Sequence, residues 1–204
     1  MTGVRLILAT GNAGKVREFN RLLAGAFEVV PLPAGVALPP ETGRTFAENA
    51  RLKAEAVFRV LGGTVAVLAD DSGLEVAALD GRPGIYSARF AGANATDAEN
   101  VAKLLDELTP AADRTARFVC ALCLALPGAG APASFDPLEV EGFTAGSIVG
   151  EPRGFDGFGY DPVFQPEGWD LTLAEATPED KDRVSHRGAA ARALVECVAR
   201  LAGV

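Results

Sequence analysis

The spacing of apolar residues along the chain predicts alternating strands and helices. Residues 4–9 are nearly all apolar, as expected for a strand that is buried on both faces. A glycine-rich loop follows, and apolar residues then recur at helical spacing over 16–23 and again over 46–61. The same reasoning predicts strands at 27–32, 64–70, 74–79 and 116–126, one or two strands within 138–150, and helices that begin near 97 and 186.

The order of these elements indicates an α/β fold with one mixed sheet. Several successive strands have no helix between them, which disfavours a purely parallel sheet. Thr96 and Glu99 match a capping box before one helix, and Ser185 can cap the helix near 186. A chain of 204 residues predicts a single domain over 1–204, which can contain two lobes.

Composition narrows the classes of function. The net charge of −8 argues against a broad nucleic-acid surface, so the expected partner is a small molecule. No apolar stretch approaches the roughly 20 residues that span a bilayer, and the N-terminus has no signal-peptide pattern, so no membrane partner is expected. Three cysteines leave at least one unpaired, which favours a reducing compartment and predicts a cytoplasmic protein. All three are expected to be small core residues: Cys120, Cys123 and Cys197.

The glycine-rich loop at residues 10–15, "TGNAGK", lies between a predicted strand and a predicted helix. It is not a P-loop, because only two residues separate Gly11 from Gly14 and Val16 follows the lysine. Backbone N–H groups at a helix start bind anions, and Lys15 adds a full positive charge. The pattern predicts a phosphate site, with an ordinary strand-to-helix turn as the alternative.

Two aspartates follow an apolar run in "LADDSGLEV", at what the pattern predicts to be a strand end. Neighbouring strand residues point to opposite faces, so Asp70 and Asp71 are expected to have different roles. One would bind a divalent cation or orient water, and the other would make a structural hydrogen bond. Hard oxygen ligands beside a phosphate loop favour Mg²⁺. The alternative is a polar turn, since Asp, Ser and Gly are turn residues.

Two later segments also carry candidate chemistry. Residues 154–164, "GFDGFGYDPVF", combine aromatic rings with glycines, which suits stacking on a planar base or, alternatively, filling of the core. Lys181, His186 and Arg187 lie near a predicted helix start and could donate to an oxygen-rich ligand. A lone histidine is nevertheless more often structural than catalytic.

Together these segments resemble the inosine/xanthosine triphosphate pyrophosphatases, over Leu8 to about Leu194 and in the family's order. The matching motifs are "TGNAGK", "ETGRTFAENARLKA", "ADDSGLEV", "GRPGIYSARFAG", "GFGYDPVF" and "SHRG". The resemblance implies an elongated mixed sheet with flanking helices, two lobes around a central nucleotide-binding cleft, and a homodimer. It also implies hydrolysis of ITP, dITP and XTP to the monophosphate and pyrophosphate with Mg²⁺. The alternatives are a related pyrophosphatase with another base preference and a nucleotide sensor without turnover.

The resemblance also implies roles for individual residues. The triphosphate would be held by Thr10, Gly11, Asn12, Ala13, Gly14 and Lys15, assisted by Lys53. Asp71 would be the catalytic residue and a metal ligand, with Glu41 as the second ligand and Ser72 touching substrate. The base and sugar would be flanked by Phe158, Gly159, Tyr160 and Asp161. The base would be read by Lys181, His186 and Arg187. One departure is Pro40, where many members carry a second acid before Glu41.

Overall fold

The structure is a computed structural model that describes residues 4–109, 113–127 and 134–203. Its strands are β1 (Val4–Leu8), β2 (Phe27–Pro31), β3 (Ala66–Val76), β4 (Thr115–Ala125), β5 (Leu138–Ile148) and β6 (Phe164–Pro166). Its α-helices are α1 (Ala13–Leu22), α2 (Phe46–Val60), α3 (Asp97–Leu108), α4 (Pro178–Val184) and α5 (His186–Ala202). Short 3₁₀ helices cover Ala77–Leu79, Gly84–Arg89 and Asp161–Val163.

The strands form a six-stranded sheet in the order β2-β1-β3-β4-β5-β6. Strand β1 is parallel to β2 and β3, whereas β5 is antiparallel to β6, so the predicted mixed sheet is confirmed. Among the described residues no helix is both long and apolar enough to cross a membrane.

The chain divides into two compact units. Unit 1 comprises the described residues up to Asp71, those from Cys120 to Gly142, and those from Arg187 onward. Unit 2 comprises Ser72–Val119 and the described residues of Phe143–His186. Strands β3, β4 and β5 therefore each begin in one unit and end in the other.

Each unit has its own apolar core. The core of unit 1 is built from β1, β2, α1, α5, the first part of β3 and the second part of β4, and its largest fully buried side chains include Phe19, Leu68 and Leu122. The core of unit 2 gathers α3 around Phe118 and Phe164, whose ring centroids lie 4.6 Å apart. Burial of this apolar surface is the main contribution to stability in both units.

The helix starts follow the local sequence signals. Thr96 and Glu99 form the predicted capping box, in which each side chain accepts from the other residue's backbone N–H. Thr45 caps α2 by accepting from the N–H of Glu48. The predicted start of α5 at His186 is also confirmed, directly after Ser185.

Two predictions about the strands are wrong. The residues Asp70 to Gly73 do not lie at a strand end, because β3 runs without interruption from Ala66 to Val76. The strand then gives way to a 3₁₀ helix at Ala77, so the predicted strand at 74–79 is shorter than expected. Residues 66–76 are almost all buried, and pairing within a buried sheet outweighs the weak turn preference of Asp-Ser-Gly.

The cysteines are free, as predicted, but they are not all in the core. Cys120 and Cys123 are buried in β4, whereas Cys197 on α5 is only half-buried. The prediction that Cys197 is a core residue is therefore wrong, because its position lies at the edge of the apolar stripe of α5, where the guanidinium of Arg200 contacts its sulfur.

Candidate active site

The glycine-rich loop is held in shape by its own side chains. Asn12 is the N-cap of α1, and its Oδ1 accepts hydrogen bonds from the N–H groups of Gly14 (2.8 Å) and Lys15 (3.2 Å). The hydroxyl of Thr10 accepts from the N–H of Asn12 at 3.1 Å. The N–H groups of Gly14 and Lys15, which the sequence assigned to an anion, are thus bonded to Asn12, and a phosphate at the loop would compete with that side chain.

Asp70 is the buried partner of the loop lysine. Its Oδ2 lies 2.7 Å from Nζ of Lys15 and 3.9 Å from Nε of Arg187. Burial alone would raise the pKa of Asp70, but the positive charges of Lys15, Arg187 and Lys53 outweigh burial and hold that pKa below its usual value. Asp70 is therefore ionised at neutral pH and ties the start of α1 to β3.

Asp71 has a different set of partners. Its Oδ1 accepts from Nζ of Lys53 at 2.9 Å, and its Oδ2 accepts from Nδ2 of Asn49 at 3.1 Å. The same ammonium of Lys53 donates to Oε1 of Glu41, also at 2.9 Å. The two adjacent aspartates have different ion-pair partners, since Asp70 pairs with Lys15 and Asp71 with Lys53. Their different roles stay a prediction.

The electrostatics of this cluster follow from its burial. Burial raises the pKa of Asp71, Lys53 opposes that rise, and the nearby charge of Glu41 adds to it. Burial would lower the pKa of Lys53, but the carboxylates of Asp70, Asp71 and Glu41 raise it above its usual value. Lys53 thus stays charged, while Asp71 holds a proton more readily than an ordinary aspartate.

A third ion pair of unit 1, besides Lys15–Asp70 and Lys53–Asp71, is also buried. Arg187 donates from its terminal nitrogen to Oε2 of Glu18 at 3.1 Å, and both side chains are almost fully buried. Glu18 lies on α1, one turn after Lys15. The Lys15–Asp70 pair connects α1 to Asp70 directly, and the Glu18–Arg187 pair connects α1 to an arginine that lies close to Asp70.

In unit 2, the segment 154–164 is organised by Asp161. Its Oδ2 accepts from the N–H of Phe158 at 2.9 Å and from Nζ of Lys181 at 2.7 Å. The ammonium of Lys181 also lies 5.1 Å from the centroid of the Phe158 ring. Gly157 has a φ of 83°, and a Cβ there would come within 2.2 Å of Oδ2 of Asp161. Only glycine fits this turn.

The rest of that segment is anchored to α3 and to the 3₁₀ helix at Gly84–Arg89. The N–H of Gly159 donates to Oδ2 of Asp97 at 2.7 Å, and the hydroxyl of Tyr160 donates to the carbonyl of Ser87 at 2.9 Å. A cavity of about 510 Å³ borders the segment on the α3 side, and its wall includes Asp97, Phe155 and Phe158.

A protein-family model described as the Ham1 family matches residues 6–197. This chain belongs to the Ham1 family. Among curated relatives, it is 50% identical over 194 residues to a dITP/XTP pyrophosphatase of an Exiguobacterium species, covering 94% of this chain and 95% of that protein. It is 48% identical over 208 residues to a dITP/XTP pyrophosphatase of Streptomyces coelicolor, covering 98% and 99%.

Solved structures of other Ham1 proteins have the same fold. The Ham1 protein of Staphylococcus aureus superposes with a TM-score of 0.82 at 38% identity, covering 95% of this chain and 97% of that one. A nucleoside-triphosphatase / dITP/XTP pyrophosphatase of Mycobacterium abscessus gives a TM-score of 0.72 at 42% identity, covering 94% and 98%.

The predicted site residues of this Ham1 chain fall into both units. Unit 1 brings together Lys15, Lys53, Asp71, Glu41 and Arg187, with the rest of the loop at 10–15. Unit 2 holds Ser72 and the segment that contains the remaining predicted residues: Phe158, Gly159, Tyr160, Asp161, Lys181 and His186.

Two of the three residues predicted to read the base have buried contacts of another kind. Arg187 pairs with Glu18 and lies close to Asp70. The ring of His186 is 1% exposed and stacks on Phe118, with centroids 4.6 Å apart and planes 11° apart. Their contact with a base stays a prediction.

Two residues of this Ham1 chain were missed by the sequence reasoning. Asn49 precedes Lys53 by four residues, so the two side chains lie on the same face of α2. This spacing could have predicted that both contact the same residue. Glu18 is buried on α1 beside Phe19. Nothing in the sequence around it distinguishes it from an acidic residue on the surface of a helix.

The donors in unit 1 fit a magnesium ion. Among the residues that the structure describes, no three His, Cys, Asp or Glu side chains are grouped as a metal site. Two carboxylates, Asp71 and Glu41, do converge on one ammonium at 2.9 Å each. Protein-bound Mg²⁺ typically takes one or two carboxylates and completes its shell with water and substrate phosphates. The pair therefore suits Mg²⁺ that arrives with a nucleotide.

Proposed function

We propose that this chain hydrolyses dITP, ITP and XTP between the α and β phosphates, giving the nucleoside monophosphate and pyrophosphate. The observation that carries the proposal is the cluster in which the buried ammonium of Lys53 bridges Asp71 and the half-buried Glu41, in a chain whose Ham1 relatives are described as dITP/XTP pyrophosphatases. Such a reaction would remove non-standard purine nucleotides from the nucleotide pool.

In this proposal the residues of unit 1 bind the triphosphate. The loop at 10–15 supplies the start of α1, and Lys15 and Lys53 supply positive charge. Cleavage of a phosphoanhydride depends mainly on positioning and on neutralising the charge that develops on the leaving pyrophosphate. Lys53 is suited to this task because its carboxylate neighbours keep it charged although it is buried.

Asp71 is the proposed catalytic residue. Its carboxylate would accept a proton from the attacking water, and the hydrogen bonds from Lys53 and Asn49 fix the direction of its two oxygens. The pKa of Asp71 is raised mainly by burial, which brings a carboxylate closer to the basicity that a general base needs near neutral pH. Asp71 and Glu41 would hold Mg²⁺, which when bound neutralises phosphate charge and polarises the reacting phosphoryl group.

The residues of unit 2 would select the base. Hypoxanthine and xanthine carry an oxygen at position 6, where adenine carries an amino group. Lys181, which is fixed by Asp161 beside the Phe158 ring, would direct another N–H of its ammonium to that oxygen, and the amino group of adenine would offer that N–H no acceptor. An unpaired buried donor gives strong discrimination. Ser72, Gly159, Tyr160, His186 and Arg187 are the further proposed contacts to the nucleotide.

The experiment is ³¹P NMR of the products formed from dITP, ITP, XTP, ATP and GTP, with Mg²⁺ and with a chelator. We expect pyrophosphate from dITP, ITP and XTP, little turnover of ATP and GTP, and none without the metal. Orthophosphate as the product would refute the proposed bond cleavage, and equal use of all five nucleotides would refute the base selection.

The family resemblance further supports a homodimer, and we propose that state for this chain; sedimentation velocity measures it directly. A cytoplasmic location is also proposed. It is supported by the free cysteines among the described residues, Cys120, Cys123 and Cys197, since unpaired thiols are typical of reducing compartments.

A further inference from the structure

Asn49 connects the catalytic carboxylate to a second segment of unit 1. It lies on α2 with no exposed surface, and its side-chain amide makes two hydrogen bonds. Nδ2 donates to Oδ2 of Asp71 at 3.1 Å, and Oδ1 accepts from the N–H of Gly43 at 2.8 Å. Because an N–H of Gly43 can only donate, the oxygen of the amide must face it, and the nitrogen must face Asp71.

The segment around Gly43 is packed closely against Asn49. A Cβ at Gly43 would lie 2.7 Å from Oδ1 of Asn49, 2.7 Å from Cβ of Glu48 and 3.0 Å from the backbone nitrogen of Asn49. The next N–H, that of Arg44, donates to a carboxylate oxygen of Glu48. Glu41 precedes Gly43 by only two residues. The packing at Gly43 therefore restricts the position of the Glu41 backbone, from which the carboxylate extends.

One face of α2 therefore holds both oxygens of Asp71. Asn49 and Lys53 are four residues apart, which places their side chains on the same side of the helix. Lys53 donates to Oδ1 and Asn49 donates to Oδ2. A carboxylate that is held at both oxygens does not rotate freely, and here the same amide that prevents rotation also fixes the 41–44 segment.

From this geometry we infer that Asn49 is a positioning residue for the reaction, which sets the orientation of Asp71 and the placement of Glu41 relative to it. The inference rests on the proposed function, since it takes Asp71 as the catalytic carboxylate. In this inference Asn49 acts through Asp71 and the 41–44 segment, and not by binding the nucleotide itself. Its loss should impair turnover and metal use much more than nucleotide binding.

The test compares Asn49→Ala with Asn100→Ala. Asn100 is a matched control because it is also buried on a helix and makes two amide hydrogen bonds, from Nδ2 to the carbonyl of Ala88 and from the N–H of Ala91 to Oδ1. Neither partner of Asn100 is charged. Any loss that arises only from removing a buried asparagine will therefore appear in both variants.

For Asn49→Ala we expect kcat for dITP to fall about 10- to 100-fold, the range typical of residues that orient metal ligands. The KM should stay within about threefold, because binding contacts are retained. The Mg²⁺ concentration for half-maximal activity should rise. Asn100→Ala should keep the wild-type values of all three.

A second readout does not depend on turnover. The Tm of each protein is measured with and without Mg²⁺ plus a non-hydrolysable α,β-methylene analogue of dITP, since a ligand that binds only the folded state raises Tm. We expect the Mg²⁺-dependent part of this shift to be smaller in Asn49→Ala than in wild type, and unchanged in Asn100→Ala.

Asn49→Asp keeps the size of the side chain and the acceptor for Gly43, but it replaces the donor to Asp71 with an oxygen. We expect a larger loss of kcat than in Asn49→Ala, and this variant also serves if the alanine variant folds poorly. If wild type is active and both Asn49 variants match Asn100→Ala, the inference is wrong and the proposed function stands. If wild type releases no pyrophosphate, both fall.

Discussion

Two neighbouring carboxylates in β3, at 70 and 71, respond to burial in opposite ways. Three positive charges surround Asp70 and hold its pKa below the usual value, despite burial. At Asp71 burial prevails over Lys53, and its pKa is raised. In terms of folding, the ionised form of Asp70 is stabilised in the native protein, whereas the ionised form of Asp71 is penalised there.

Asp71→Asn should therefore separate activity from stability. We expect kcat to fall by at least about 100-fold, because a general base is lost, while the nucleotide Kd measured without Mg²⁺ stays within about threefold. The free energy of unfolding at pH 7 should not decrease, since asparagine resembles the protonated side chain that burial favours. Steady-state kinetics, calorimetric titration with dITP and urea unfolding give the three quantities.

Asp70→Asn is the matched control for that stability measurement. It leaves Lys15 and Arg187 without the carboxylate that they share, and removing one partner of a buried ion pair costs about 3 kcal/mol or more. The two substitutions, one residue apart, should change the free energy of unfolding in opposite directions or by clearly different amounts. A large, equal loss in both would contradict the assigned pKa directions.

At the residue scale the sequence was informative about the direction of side chains along a strand, and less informative about their ion-pair partners. Alternation along a strand was sufficient to separate Asp70 from Asp71. The pairing of Arg187 with Glu18 joins residues that are 169 positions apart, and no local pattern encodes it. The position of Asn49 beside Lys53 could have been predicted, because residues four positions apart lie on the same face of a helix.

At the scale of elements, β5 and β6 pair very closely at one glycine. Gly146 lies opposite Pro166, and a Cβ there would come within 2.3 Å of the carbonyl oxygen of Gln165 and 2.8 Å of the Phe164 ring. The short strand β6 directly follows Tyr160–Val163 in the chain, so its position bears on the candidate base-binding segment.

Gly146→Ala should therefore lower the free energy of unfolding by about 1–3 kcal/mol, the usual cost of overpacking. Gly150→Ala is the control, since a Cβ at Gly150 has no atom within 4 Å. Its effect should stay within about 0.5 kcal/mol. Urea unfolding of both variants measures the difference, and a tolerated Gly146→Ala would mean that β6 moves easily.

Most of the elements could be predicted from periodicity, but β3 was predicted as two strands, and neither β6 nor α4 was predicted. Helix α3 followed from its capping box and apolar stripe, both of which are local. Strand β3 was divided in two because Ser72 and Gly73 are typical turn residues. Pairing within a buried sheet easily outweighs the weak turn preference of these two residues. The local sequence does not show which strands will be the neighbours in the sheet, so this effect could not be predicted from it.

At the scale of the whole molecule, stability should depend on pH through several carboxyl groups. Hydrogen bonds from nearby threonines lower the pKa of Glu99, Asp113 and Glu175, and positive charges lower that of Asp70 against burial. A lowered pKa contributes stability above the unfolded value, and this contribution is lost as the pH falls through the folded value. The raised pKa of Asp71 has the opposite effect, because its ionisation as the pH rises lowers the free energy of unfolding.

We therefore expect the free energy of unfolding to fall as the pH drops below the ordinary aspartate pKa of 3.8. The fall should be shallower in Asp70→Asn, which lacks the buried group with a lowered pKa. Urea unfolding from pH 7 to pH 3 measures both curves. Parallel curves would show that Asp70 does not contribute to acid unfolding.

The way the chain passes between the two units has a consequence for its synthesis. Unit 1 is assembled from three stretches and unit 2 from two, with α5 belonging to unit 1. Because a ribosome releases the chain from the N-terminus, all of unit 2 except His186, the first residue of α5, emerges before α5 does. The helix that carries Arg187 and packs Leu194 into the core of unit 1 arrives after the rest of unit 2. The first strands of unit 1, with Lys15 and Asp70, are therefore synthesised before Arg187, and the core of unit 1 can be completed only after the whole of unit 2 has been made.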